Sequence, residues 1–171
     1  MIVWLNGTFG AGKTTTARLL VRALPQARIF DTETVGYMLE HVLTEPVEDF
    51  QDNRPWRTLV VRTAVEVLNH VGGTLVIPQT VLNEGYAEEI FGGLAAEGVK
   101  THHFVLHVDR HELVRRITED QEEAGAKQWR LDHVERYEAA RTWLSEKGTV
   151  VDTTAKGPQE VVALIAGGVA E

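Results

Sequence analysis

The sequence predicts an α/β fold in three layers, in which helices cover both faces of a five-stranded parallel sheet. Apolar or β-branched runs of strand length alternate along the chain with longer runs of helical periodicity. A glycine-rich segment directly follows the first strand-like run and precedes an amphipathic run. The 171 residues, 43% hydrophobic and 25% charged, fit one compact domain over residues 1–171.

Each predicted strand is followed by helical periodicity. The strands are expected at residues 2–5, 28–30, 74–77, 104–108 and 149–151. The helices are expected at residues 14–24, 34–42, 56–71, 87–97, from 112 onward, and 158–166. Gly72 and Gly98 are typical of helix ends, and Asp109 is typical of an N-cap.

One polar stretch interrupts this pattern between the fourth and fifth strands. Residues 118–129 contain Gly125 and have weak helical periodicity. They predict either a flap over the site, at about residues 118–133, or an exposed helix with a frayed middle. The pattern alone favours neither.

Composition and charge argue against several classes of protein. No basic segment precedes a long apolar stretch, and no apolar run approaches the roughly 20 residues that span a bilayer. Cysteine is absent, which excludes disulfides and thiolate metal sites, and the net charge of −8 argues against general binding of nucleic acid. We therefore expect a cytoplasmic, soluble protein with no nucleic-acid partner and no stable membrane insertion. The sequence predicts no oligomeric state.

The segment from Gly7 to Thr14 matches the eight-residue P-loop pattern that binds phosphate. Its glycines let the backbone turn tightly and point amide hydrogens inward, and the positive end of the next helix favours phosphate oxygens. Lys13 is expected to reach the β- and γ-phosphates of ATP, and the Thr14 hydroxyl to enter the shell of Mg²⁺. The segment therefore predicts a P-loop NTPase fold with ATP and Mg²⁺ as cofactors. The predicted nucleotide contacts here are Gly7, Phe9, Gly10, Ala11, Gly12, Lys13, Thr14 and Thr15.

Two carboxylates follow the second predicted strand. Ligands bind at the carboxyl ends of parallel strands, so Asp31 is the predicted catalytic base and a Mg²⁺ ligand, with Glu33 as the less favoured substitute. In the alternative, Asp31 or Thr32 only caps the next helix. The third strand ends in Pro78-Gln79-Thr80, where many P-loop proteins place an acid, and this argues against a motor or switch NTPase. Asp31, Glu33 and Gln79 are predicted to contact the acceptor.

Two arginines complete the predicted site. Arg116 lies just beyond the fourth predicted strand, where we expect it to contact the nucleotide and to act in catalysis, as Lys13 does. The alternative is an exposed helix in which Glu112 pairs with Arg116. Arg57 is the predicted basic contact to the acceptor, and its alternative is a surface arginine beside a core Trp56.

With these motifs, the sequence resembles the tunicamycin-resistance protein family, within the wider group of P-loop small-molecule kinases. The resemblance covers nearly the whole chain and is carried by Trp4 to Thr14, Asp31 with Glu33 and Gly36, Asp49-Phe50-Gln51, Trp56-Arg57, Pro78 with Thr80, and His102-His103-Phe104. It implies a nucleoside-kinase-like fold and an ATP-dependent kinase that phosphorylates or holds tunicamycin or a related nucleoside antibiotic. It also implies Asp31 as the base and Arg116 against adenine.

One position departs from the resemblance. Such kinases usually carry a second flap arginine where this chain has Asp120, so Arg130 or Arg136 is predicted to serve the transition state instead. Two other functions stay open beside the kinase. One is a protein that binds ATP and sequesters the antibiotic without modifying it, and the other is a housekeeping nucleotide or metabolite kinase.

Overall fold

The computed structural model describes residues 1–120 and 124–170 and confirms the predicted fold class. The strands are β1 (Ile2–Asn6), β2 (Ala27–Ile29), β3 (Thr74–Ile77), β4 (Thr101–His107) and β5 (Thr149–Asp152). The helices are α1 (Lys13–Ala23), α2 (Glu33–Glu40), α3 (Arg54–Val71), α4 (Glu84–Ala96), α5 (Arg110–Glu119), α6 (Lys127–Lys147) and α7 (Pro158–Ala170). Single 3-10 turns lie at Phe50–Asp52 and Ala124–Ala126.

The five strands form one sheet in the order β2-β3-β1-β4-β5, and every neighbouring pair is parallel. The carboxyl ends of all five strands therefore meet at one edge. β1 is central and pairs with β3 on one side and β4 on the other, with Trp4 opposite both Ile77 and His103. The loop that leaves β1 consequently emerges in the middle of the edge where ligands bind in open α/β sheets.

Alternate residues of β1 point into the two layers of helices. Ile2 and Trp4 belong to a core cluster that includes buried side chains of α2, α3, α4 and α6. Val3 and Leu5 belong to a second cluster on the other face, with side chains of α1, α5, α6 and α7. All four residues are fully buried, which explains why the strand carries a continuous apolar run instead of an alternating one.

The main difference from the predicted elements is α6, a helix of 21 residues. Its side chains enter both core clusters, with Tyr137 and Trp143 in the first and Val134 in the second. A helix that is buried on more than one side lacks the single apolar stripe that identifies a surface helix in a sequence. The proposed flap falls partly on residues 121–123, outside the described residues, and residues 127–133 form the start of α6.

No described helix combines the length and the apolar character that a membrane span needs.

Candidate active site

The P-loop connects β1 to α1 through glycines in the left-handed region of backbone space. The φ angles are 127° at Gly7, 81° at Gly10 and 90° at Gly12. A Cβ atom on Gly7 would lie 2.5 Å from the carbonyl oxygen of Leu106 on β4, so this position accepts only glycine. Gly12 is the N-cap of α1, which brings the positive end of the helix to the loop.

Side chains from β1 and from the end of β3 hold the loop in place. The Asn6 carboxamide oxygen accepts hydrogen bonds from the amides of Gly7 (2.8 Å) and Val81 (2.9 Å), and its nitrogen donates to the Val81 carbonyl (2.9 Å). The Thr80 hydroxyl donates to the Gly7 carbonyl at 2.8 Å. The residues after β3 thus support the P-loop. This segment, which lacks the acid found there in many P-loop proteins, therefore has a structural role.

Lys13 lies inside the loop. Its Nζ donates to the carbonyls of Gly7 and Thr8, both at 2.9 Å, and lies 5.3 Å from the centre of the Phe9 ring. Burial lowers the pKa of Lys13 to about 7, while the charge of Glu33 raises it and that of Arg130 lowers it. The ammonium is thus held by neutral carbonyls in a position where negative phosphate oxygens would stabilise it further.

A cavity of about 920 Å³, here called the large cavity, opens above the loop. Lys13, Thr14 and Thr15 line it, as do Phe9, Gly10 and Gly12 from the loop itself. Thr14 and Thr15 are exposed to solvent. The predicted P-loop residues therefore meet at one surface, with the exceptions of Gly7, which faces β4, and Ala11, which is buried in the core.

Arg116 lies between the P-loop and the segment after β5. Its Nε pairs with Glu112 at 2.8 Å, as the structural alternative predicts, yet the residue also lines the large cavity. Its Nη2 donates to the carbonyls of Thr153 (3.1 Å) and Thr154 (3.2 Å), and its Nη1 to the carbonyl of Gly10 at 3.5 Å. Arg116 therefore ties the loop to the end of β5 at the wall of the cavity.

The structure places the two carboxylates after β2 differently relative to the large cavity. Asp31 is exposed, and its Oδ1 accepts a hydrogen bond from the Glu33 backbone amide at 3.0 Å. Asp31 is not among the described residues that line the large cavity. Its carbonyl accepts from the Thr34 hydroxyl at 2.6 Å, so the residue shapes the start of α2. Glu33 lines the large cavity, and its negative charge raises the pKa of Lys13.

A smaller cavity of about 210 Å³, here called the small cavity, adjoins the large one. Phe9, Glu33, Phe50 and Trp129 line both cavities, so the two spaces share a wall. The remaining residues around the small cavity are Glu40, Val47, Glu48, Asp49, Gln51, Gln79, Thr80, Leu82, His133 and Arg136. Asp31 is not among the described residues that line it.

Asp49 and Gln79 are two polar groups of the small cavity that hydrogen bonds hold in place. The Asp49 carboxylate accepts from the Gln51 amide at 2.9 Å and from its side-chain nitrogen at 3.2 Å, and burial raises the Asp49 pKa. Gln79 is buried, accepts from the Thr32 hydroxyl at 2.7 Å and donates to the Thr80 carbonyl at 3.0 Å. The sequence singled out Gln79 for its place after β3, whereas Asp49 had no strand end to mark it.

Residues 3–144 match the family described as AAA domain. The chain belongs to this AAA-domain family. No curated protein sequence matches the chain significantly. The structure of the Deinococcus radiodurans tunicamycin resistance protein is similar over 99% of this chain and 95% of that chain, with a TM-score of 0.75 and 26% identity. This match confirms the resemblance stated from the sequence.

Two further solved structures share the fold of this AAA-domain protein. A sugar kinase from Janibacter sp. HTCC2649 is 17% identical with a TM-score of 0.66, over 99% of this chain and 94% of that chain. The Mycobacterium tuberculosis APS kinase, solved in complex with AMPPNP and APS, is 17% identical with a TM-score of 0.64, over 99% of this chain and 97% of that chain. At these identities the likeness establishes a kinase-like P-loop fold.

In the AAA-domain protein, the contacts of Arg57 lie in the 3-10 turn at Phe50–Asp52 and on α4, and its contact with the acceptor stays a prediction. Its Nε pairs with Glu89 at 2.7 Å, and its Nη1 donates to the carbonyls of Gln51 and Asp52. Its guanidinium lies 4.1 Å from the centre of the Tyr86 ring. Arg57 is buried and lines neither cavity among the described residues, so its role here is to fix the 3-10 turn against α4.

The structure separates the two arginines that could replace the missing flap arginine. Arg130 is only 7% exposed, lines the large cavity and pairs with Asp120 at 2.8 Å. Arg136 lines the small cavity, where its Nη2 lies 3.8 Å from Glu48. Arg130 is therefore the better placed of the two for a transferred phosphoryl group.

An aromatic cluster on α6 covers the P-loop of the AAA-domain protein. The Phe9 ring lies 4.6 Å from Trp129 and 5.1 Å from His133, centre to centre, and the Thr8 hydroxyl donates to the His133 carbonyl at 3.4 Å. Trp129 is a site residue that the sequence analysis missed. An aromatic residue in a polar stretch carries no motif, and only the fold brings it to the loop.

Proposed function

We propose that the protein is a phosphotransferase that moves the γ-phosphoryl group of ATP to a hydroxyl of a small molecule. The observation that carries this proposal is the shared wall of the two cavities. Glu33 lies on that wall, between a cavity built on the P-loop and a cavity with fixed polar groups. A donor in the large cavity and an acceptor in the small cavity would meet at this carboxylate.

The residues present fit a magnesium-bound triphosphate. Lys13 and Arg130 supply positive charge, the start of α1 supplies backbone amides, and a Cβ on Gly12 would meet no atom within 4 Å, so its surface is open to a ligand. The exposed Thr14 hydroxyl is the proposed Mg²⁺ ligand, and the ion would neutralise phosphate charge. Asp31, outside both cavities, is no longer part of the proposed metal site.

In the proposed reaction Glu33 orients the acceptor hydroxyl and takes its proton. The acceptor oxygen forms a bond to the γ-phosphorus while the bond between that phosphorus and the bridging oxygen breaks, and ADP leaves with the electron pair. Lys13 and Arg130 stabilise the charge on the phosphoryl oxygens, and Arg116 holds the edge of the nucleotide site. Positioning and electrostatics supply most of the catalysis in such a transfer.

Tunicamycin is the first acceptor to test. The support is the similarity to a structure named as a tunicamycin resistance protein, which extends over nearly the full length of both chains. Purified protein is incubated with ATP, Mg²⁺ and tunicamycin, and the antibiotic is analysed by mass spectrometry. A gain in mass of one phosphate group, absent with Lys13→Met, is the expected result.

A second function is favoured by one observation, the missing acid after β3. Gln79 stands in that region, and its side chain is engaged with Thr32 and the Thr80 carbonyl. A protein that binds ATP and sequesters the antibiotic would leave the mass of tunicamycin unchanged while retaining it through gel filtration. A housekeeping kinase would leave tunicamycin untouched and release ADP with another acceptor, which a panel of nucleosides and sugars tests.

A further inference from the structure

Among the described residues, basic side chains predominate around the large cavity and acidic side chains around the small cavity, and this difference limits which acceptors the small cavity can bind. The inference rests on the proposed function, since it concerns the cavity beside the P-loop. Among the described residues, the charged residues that line the large cavity are the basic Lys13, Arg18, Arg115, Arg116 and Arg130 and the acidic Glu33, Glu119 and Asp120. Those that line the small cavity, among the described residues, are the acidic Glu33, Glu40, Glu48 and Asp49 and the basic Arg136, beside His133.

The basic residues near the small cavity are already matched by acids. Arg136 lies beside Glu48, and Arg57 is held by Glu89 on the far side of the turn. An acceptor with a phosphate, sulfate or carboxylate group would need an arginine or lysine that can form charge-assisted hydrogen bonds. In this cavity it would instead face carboxylates, and like charges placed together cost free energy.

Much of the remaining wall is apolar. Phe9, Phe50 and Leu82 form part of it, and Val47 and Trp129 stand at its edge with 44% and 45% of their surface exposed. Exposed large apolar side chains beside a cavity favour a ligand that covers them. Buried Gln51, Gln79 and Thr80 supply neutral polar groups to the same space.

We propose that the acceptor carries no negative charge, bears hydroxyl groups, and has an apolar part that covers Val47 and Trp129. The small cavity then distinguishes acceptors by charge before any phosphoryl group moves. Nucleoside monophosphates and sugar acids are excluded by repulsion, while nucleosides and alkyl glycosides of the same shape are accepted. The large cavity keeps the opposite preference and receives the triphosphate.

Titration calorimetry with matched pairs tests the proposal. Protein saturated with AMPPNP and Mg²⁺, which occupy the large cavity, is titrated with uridine against uridine monophosphate and with hexyl glucoside against hexyl glucuronide. Within at least one pair, the uncharged compound is expected to bind about tenfold tighter or more, a ratio equivalent to about 1.4 kcal/mol. Hexyl glucoside is expected to bind more tightly than methyl glucoside because of its apolar chain.

A charge-removing variant provides the internal check. Glu40 and Glu48 are exposed acids that line the small cavity and take no part in the proposed transfer. The double variant Glu40→Gln with Glu48→Gln should reduce the ratio of the two Kd values within each matched pair. Glu66→Gln, an exposed position on α3, is the matched control and should leave it unchanged. Raising the salt concentration should also narrow the ratio, since exposed charges are screened.

The outcomes separate this inference from the proposed function. Equal or tighter binding of the anionic compounds, no binding by any compound, or a ratio unchanged in the double variant overturns the inference. In a parallel assay with ATP in place of AMPPNP, binding of the uncharged compounds without phosphoryl transfer supports the inference and contradicts the kinase. Transfer to an anionic acceptor supports the kinase and contradicts the inference.

Discussion

The protonation of Lys13 depends on what binds beside it. Without ligand its ammonium donates to two loop carbonyls, and burial lowers its pKa to about 7. A bound triphosphate brings negative charge to the same place and favours the ammonium form. The pKa of Lys13 in the complex is therefore higher than in the free protein, and nucleotide binding is linked to pH.

The linkage predicts that AMPPNP binding takes up a proton at about pH 8. Affinity should be greatest below the free pKa of about 7 and fall as the pH rises above it, toward the higher pKa of the complex. Titration calorimetry in two buffers of different ionisation enthalpy measures the uptake. Lys13→Met should bind weakly and without this uptake, and an unchanged uptake in that variant would assign the proton to another group.

Glu33 lines the large cavity and Asp31 does not, so substitutions at the two positions should differ in their effect on kcat. Glu33→Gln is expected to lower kcat about 10²- to 10⁴-fold with little change in the affinity for ATP, because it removes the group that takes the proton. Asp31→Asn should change kcat far less, since Asp31 contacts the start of α2. Steady-state ADP release measures both effects, and a larger loss of kcat with Asp31→Asn would assign the role of base to Asp31 instead of Glu33.

The P-loop residues and the pair Asp31 and Glu33 show which site residues the sequence can predict and which it cannot. The P-loop residues could be predicted because eight contiguous positions fix both the backbone and the chemistry. The different positions of the Asp31 and Glu33 side chains could not be predicted, because they depend on a hydrogen bond from the backbone amide of Glu33 to the carboxylate of Asp31. The ion-pair partner of Arg57 could not be predicted for a similar reason, since Glu89 lies 32 positions away in sequence.

At the scale of elements, α6 brings two groups to the large cavity: Arg130, one of the two arginines proposed from the sequence, and Trp129, which no motif predicts. Its first turns place Trp129 over Phe9 and Arg130 beside Asp120, at the end of α5. The five strands were located within a few residues because each is a local apolar run. The beginning of α6 was not, because its first turns are mostly polar, and their buried side chains, Arg130 and His133, contact Asp120 at the end of α5 and Phe9 of the P-loop instead of forming an apolar stripe.

Arg130 should act on the transferred phosphoryl group, and Asp120 should hold it in place. Arg130→Ala is expected to lower kcat about 10²- to 10³-fold, as loss of one transition-state donor does, whereas Arg136→Ala should leave kcat close to that of the wild type. Asp120→Asn should give a smaller loss in kcat. Its matched control is Asp132→Asn, at an exposed acid on α6, the helix that carries Arg130. Equal losses for Arg130→Ala and Arg136→Ala would contradict this assignment.

At the scale of the whole molecule, the site joins parts of the fold that lie far apart in sequence. The P-loop contacts β4 through Leu106, the end of β3 through Thr80 and α6 through His133. A ligand that fills the large cavity also contacts α5 and the start of α6. Binding there should therefore stabilise the folded chain as a unit.

Thermal unfolding measures this stabilisation. A ligand that binds only the folded state adds about 2.7 kcal/mol at a hundredfold excess over its Kd, which for a chain of this size raises Tm by about 5–11 °C. AMPPNP with Mg²⁺ should produce a shift of this order in the wild type and a much smaller one in Lys13→Met at the same concentration. Arg57→Lys should lower the Tm of the free protein, because the paired Glu89 and the ring contact with Tyr86 are weakened, while the nucleotide shift persists. An equal nucleotide shift in Lys13→Met would mean that the nucleotide binds outside the P-loop, because in that variant the loop has lost the ammonium that the phosphates require.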